Sequence, residues 1–142
     1  VGFKKILVAL DAAPETQVVF EEALELAKKE SASLMIFNCV DFGSKLTFPS
    51  EIKEKTQEGE ELLLAYKEKA QEQGVTVESV CRVGDPGKSI CNLAQSWKAD
   101  LIVLGRRGFR GITEVLFGSV SSHVLHNAPC SVLVLQGGAF NS

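Results

Sequence analysis

A chain of 142 residues, 45% hydrophobic and 23% charged, has the length and composition of one soluble globular domain. Eighteen acidic against fifteen basic residues give a formal charge of −3, and no run of Lys or Arg could follow a phosphate backbone, so nucleic acid is not an expected partner. The apolar run at residues 6–10 is too short for a signal-peptide core and no stretch approaches the roughly 20 residues of a membrane span, so no membrane contact and a cytoplasmic setting are expected.

The basic lead-in and apolar run Lys4-Lys5-Ile6-Leu7-Val8-Ala9-Leu10 predicts a first strand buried on both faces. Pro14 then opens a helix with Val18, Val19, Ala23, Leu26 and Ala27 on one face and Glu21, Glu22, Glu25, Lys28 and Lys29 on the other. Residues 33–40 read as the second strand, 41–50 as a long loop, and 51 to about 73 as the longest helix, closed by Gly74. A third strand is predicted over 75–80. The turn Gly84-Asp85-Pro86-Gly87 leads into a helix carrying Ile90, Leu93, Ala94 and Trp97, and residues 100–104 and 131–135 supply two more strands. Strict alternation of this kind predicts an α/β fold with an open, mostly parallel five-stranded sheet and helices on both faces. It forms one domain over residues 1–142, with 136–142 a loose tail.

In such sheets ligands bind beyond the carboxyl ends of the strands, where the strand order reverses. The first strand exits into Asp11, the second into Val40-Asp41, and the fourth into Gly105-Arg106-Arg107-Gly108-Phe109-Arg110-Gly111, with three glycines and three arginines in seven residues. Glycine lets backbone N–H groups approach an anion and arginine supplies the opposite charge, so this loop suits a phosphate; a solvated turn explains the same residues. Gly118 is costly inside a helix, by about 1 kcal/mol relative to alanine. Gly118-Ser119 therefore marks a fresh helix start, with unpaired N–H groups and hydroxyls facing an anion.

The pattern Gly105-x2-Gly108-x9-Gly118-Ser119 after a strand resembles the nucleotide-binding signature of ATP-binding universal stress proteins. The segments Lys4 to Asp11, Phe37-Asn38-Cys39-Val40 and Asn127-Ala128-Pro129-Cys130-Ser131-Val132-Leu133-Val134 resemble the same family, so the similarity spans nearly the whole chain. The resemblance implies an adenine nucleotide alpha hydrolase-like fold with strand order 3-2-1-4-5. It implies ATP, or ADP or AMP, at the switch point between the first and fourth strands, with Mg²⁺ or Mn²⁺ on the phosphates. The base lies near Ala9, Leu10 and Val40, and Asp11 near the ribose or the metal. Leu104, Gly105, Arg107 and Gly108 line the phosphate path, and Gly118, Ser119, Val120 and Ser121 hold phosphates. A homodimer through residues 132–135 and a stress-response regulatory role are also implied. Where the family commonly has a Gly-Ser pair after the aspartate, this chain has Ala12-Ala13-Pro14, which removes a hydroxyl and stiffens the turn.

Other motifs fail on chemistry. Gly87-Lys88-Ser89 lacks the P-loop glycine five residues earlier, where Arg82 stands, and reads as a helix start. No Gly-x-Gly-x-x-Gly follows the first strand, and the acid cluster and lysine of a phospho-receiver are missing. Ser121, Ser122 and His123 have no acid to orient a triad, His123 and His126 read as a helix-end pair, and Cys39, Cys81, Cys91 and Cys130 as ordinary thiols. Trp97, Phe109 and Phe117 are packing or stacking candidates, and Asp41 a loop-starting residue or a ligand. With no positioned base and no second carboxylate close to Asp11, hydrolysis is expected to be slow or absent. The rival readings are a slow ATPase or a phosphoryl or adenylyl transferase at the same site, and a dimeric scaffold without nucleotide.

Overall fold

A computed structural model describes residues 2–11, 13–41, 48–106 and 119–136. Along them run β1 (Lys5–Ala9), α1 (Thr16–Glu30), β2 (Ser33–Val40), α2 (Pro49–Glu72), β3 (Val77–Val83), α3 (Pro86–Trp97), β4 (Leu101–Arg106), α4 (Ser119–Asn127) and β5 (Ser131–Gln136). The strands pair in parallel in the order β3-β2-β1-β4-β5, as expected, so the order reverses between β1 and β4.

Alternation along the strands divides the core into two layers. Ile6, Val8, Leu34, Ile36, Leu101 and Val103 meet α1 and α2 on one face. On the other, Leu7, Met35, Phe37, Ile102 and Leu104 meet α3 and α4 through Ile90, Leu93, Ala94 and Val124. Both faces are therefore covered, which is why the strands read as continuous apolar runs.

Several boundaries differ from expectation. α1 begins at Thr16, and Pro14 lies in the turn before it. Its buried face adds Thr16, Phe20 and Leu24 and leaves Val18 and Leu26 half-buried. α2 begins at Pro49, two residues before the expected start, because a proline's fixed φ and missing N–H suit a first helical position. Gly74 follows its end at φ +80°, as its expected role required. β3 starts at Val77 and runs to Val83, because its ladder with β2 extends from Leu34↔Val77 to Val40↔Val83. β4 continues to Arg106, which pairs with Gln136, so Gln136 is part of β5; residues 137–142 lie outside the described residues.

One close approach ties the long helix to the sheet. A Cβ at Gly59 of α2 would run into Asn38 Oδ1 and lie 3.2 Å from Cys81 Sγ. Asn38 is 8% exposed and its Nδ2 donates to the Leu10 carbonyl at 2.9 Å, so α2 rests on the side chain that holds the end of β1.

Candidate functional site

A cleft of about 400 Å³ opens beyond the carboxyl ends of β1, β2 and β4, where the strand order reverses. Ala9, Leu10 and Asp11 line it at the end of β1. The Leu10 N–H donates to the Phe37 carbonyl at 2.7 Å, which with the Asn38 bond fixes this peptide from both directions. Asp11 is exposed at the rim. Its Oδ1 accepts from the Ala13 N–H at 2.9 Å and from the Thr16 hydroxyl at 2.7 Å, while the Asp11 N–H donates to Thr16 Oγ1 at 2.9 Å.

At the end of β2 the lining residues are Phe37, Cys39 and Asp41. Val40 does not line the cleft. It alternates to the other face, 5% exposed, and its carbonyl accepts from the Gly84 N–H at 2.9 Å. Asp41 brings a second carboxylate to the cleft that Asp11 lines. Among the described residues no group of three or more His, Cys, Asp or Glu side chains could hold a metal ion.

Leu104 and Gly105 line the cleft from β4. The absent side chain of Gly105 faces α1, where a Cβ would lie 2.6 Å from Val19 Cγ2, so packing of α1 demands glycine here regardless of any anion. Arg107, Gly108, Phe109, Phe117 and Gly118 lie outside the described residues, as does the side chain of Arg106.

α3 and α4 close the cleft. The Asp85 carboxylate caps α3 by accepting from the Lys88 N–H at 3.0 Å, and Pro86 at the first position and Ile90 one turn on form a wall. A Cβ at Gly87 would lie 2.9 to 3.0 Å from the Cδ2, Cγ and Cβ of His123 on α4, so the Gly87-Lys88-Ser89 segment is a helix start pressed against its neighbour. Ser119, Val120 and Ser121 line the cleft from the first turn of α4. Ser121 is only 5% exposed, and its hydroxyl has no hydrogen-bond partner among the described residues.

The structure thus gathers Ala9, Leu10, Asp11, Leu104, Gly105, Ser119, Val120 and Ser121 around one cleft. Sequence reasoning missed Phe37, Cys39, Pro86 and Ile90. Counting back by twos from Asp41 puts Cys39 and Phe37 on its face, a signal that was available.

Burial pushes the Cys39 thiol up, a Ser89 hydrogen bond opposes it, and the Asp41 and Asp85 carboxylates reinforce it. Cys81, Cys91 and Cys130 are also raised, burial being the largest cause for each. Above the ordinary thiol value of 9.0 the unfolded chain releases these protons while the native protein keeps them. Their contribution is therefore fully present below that pH and is lost as pH rises through the native values. Urea midpoints are expected to change little from these thiols between about pH 7.5 and 8.5 and to fall by about pH 9.5, and the fall should shrink when all four are replaced by serine. An unchanged fall in the serine protein would contradict this.

The family model for universal stress proteins matches residues 2–136. The chain is 40% identical over 152 aligned positions to a universal stress protein of Synechocystis, covering 95% of this chain and 99% of that one. Among solved structures, the universal stress protein UspA of Lactobacillus plantarum matches with a TM-score of 0.81 at 26% identity, over 95% of this chain and 99% of that one. A universal stress protein family member of Arabidopsis thaliana, solved with AMP bound, shares the fold with a TM-score of 0.66 at 24% identity, over 94% of this chain and 90% of that one.

Proposed function

We propose, on the premise that this chain belongs to the universal stress protein family and has the adenine nucleotide alpha hydrolase-like fold, that it is a cytoplasmic stress-response regulator that binds ATP in the cleft. A relative of the same fold carries AMP, which supports an adenine nucleotide. Phe37, Pro86, Ile90 and Leu104 offer apolar walls to a base, and the head of α4 offers N–H groups and hydroxyls to phosphates. Ala9 and Leu10 stand beside the base, with Cys39 and Asp41 as the side chains that meet it at the end of β2, flanking Val40. Gly105, Ser119 and Val120 border the phosphate path; Arg107, Gly108 and Gly118, which the family resemblance assigns to it, lie outside the described residues.

Asp11 meets the ribose, or a Mg²⁺ or Mn²⁺ ion carried in on the phosphates. One or two carboxylates completed by phosphate oxygens suit such an ion, which fits a rim holding Asp11 and Asp41 without a closed metal cage. Turnover is slow or absent, because the carboxylates among the described lining residues are Asp11 and Asp41, and Asp11 Oδ1 is already engaged by the Ala13 N–H and the Thr16 hydroxyl. The chain pairs as a homodimer through β5, an edge strand with Leu133 39% exposed and Val132, Val134 and Leu135 half-buried. The opposite edge, β3, carries the exposed charges Glu78 and Arg82, which disfavour pairing there.

The observation that carries the nucleotide reading is Ser121 at the head of α4, 5% exposed and with no hydrogen-bond partner for its hydroxyl among the described residues. An unsatisfied buried hydroxyl costs about 1–3 kcal/mol, and a ligand oxygen arriving there would satisfy it. Ser121→Ala is therefore expected to stabilise the ligand-free protein by about 1 kcal/mol while weakening ATP binding about tenfold. Melting curves without nucleotide and calorimetric titration with Mg-ATP measure the two effects. Unchanged affinity for ATP in the folded variant would remove Ser121 from the site.

A further inference from the structure

Thr16 opens α1 and does not line the cleft, yet its hydroxyl bonds Asp11 twice, accepting from the Asp11 N–H at 2.9 Å and donating to Asp11 Oδ1 at 2.7 Å. The side chain is 5% exposed, among the few buried polar ones in the described residues. Burial and the two bonds to Asp11 together hold this hydroxyl in place. The Ala13 N–H adds a third bond, to the same Oδ1 at 2.9 Å. A carboxylate already held in one orientation has less freedom to lose when a ligand meets it, and so binds that ligand more tightly.

We infer that Thr16 is a positioning residue for nucleotide binding, whose hydroxyl holds the Asp11 carboxylate in one orientation at the rim of the cleft. The inference rests on the nucleotide reading of that cleft, and Thr16 acts only through Asp11. The group that meets the carboxylate is either the ribose diol or a divalent cation on the phosphates. Adenosine, which has the diol and no phosphate, separates these from Mg-ATP.

Affinities for adenosine and for Mg-ATP are to be measured by calorimetry on the wild type and on Thr16→Val, Thr16→Ser, Asp11→Ala and the Thr16→Val/Asp11→Ala double variant, with melting curves to show that each is folded. Thr16→Val keeps the shape and removes the hydroxyl, and is expected to lose about tenfold in affinity for whichever ligand Asp11 contacts. Thr16→Ser keeps the hydroxyl and is expected to stay within about threefold of wild type, a rescue that packing alone would not give. In the Asp11→Ala background, where no side-chain oxygen remains to accept from Thr16, Thr16→Val is expected to cost nothing further. Thr16→Ala replaces Thr16→Val in every comparison if the valine chain does not fold. Wild-type affinity in a folded Thr16→Val protein, or an equal loss with and without Asp11, overturns the inference and leaves the nucleotide reading standing. A wild type that binds neither adenosine nor Mg-ATP overturns both.

Discussion

Gly59→Val is expected to destabilise the native protein by about 3 kcal/mol and to lower its melting temperature by on the order of 10 °C. A glycine inside an ordinary exposed helix is a liability of about 1 kcal/mol, and replacing it would stabilise the protein. At Gly59 the sign reverses, because α2 lies against β2 and β3 with the Asn38 amide and the Cys81 thiol where a side chain would go. Neither neighbour is a loose surface group. Asn38 is buried and bonded to the Leu10 carbonyl, so moving it strands a polar pair in the core. Thermal and urea unfolding of Gly59→Ala and Gly59→Val measure the effect, with valine the worse. A melting temperature raised by alanine would show that α2 yields without disturbing Asn38.

Ala9→Phe is expected to weaken ATP binding by more than about 100-fold, or roughly 2.7 kcal/mol, while leaving the ligand-free protein within about 1 kcal/mol of wild type. Ala9 ends β1, pairs with Phe37, and turns its small side chain to the layer in which the cleft lies. A benzyl group there occupies the floor of the cleft and has room to do so, unlike a side chain added at Gly59 or Gly105. The loss is thus confined to the ligand. Calorimetry with Mg-ATP checks the affinity, and the melting curve checks the fold. Retained ATP affinity in a folded Ala9→Phe protein would place the nucleotide elsewhere.

The strands were legible because burial on both faces makes each a short apolar run, and alternation with helices then leaves few topologies. Asp11 was legible as a strand exit. The reason for Gly105 was not, because Val19, which excludes a side chain there, lies 86 positions away in the sequence. Val40 was placed beside the base although its side chain turns from the cleft, since choosing between it and Cys39 requires knowing which sheet face α3 covers. The start of β3 depended on its partner strand, because the alternation of Val75 and Val77 has one phase whether or not the first is paired. Thr16 left no mark in the pattern. Its hydroxyl matters through a bond across a turn, which periodicity does not register.

The contact between Gly87 and His123 makes α3 and α4 a single jaw. With the first turn of one helix pressed on the side-chain root of the other, the Pro86–Ile90 wall and the Ser119–Ser121 wall are rigidly coupled. A bulkier guest is expected to meet more resistance there than between two loosely packed helices. To redesign the cleft for a larger ligand one would shave Ile90 or Phe37 from its interior, and leave the hinge side of the jaw alone.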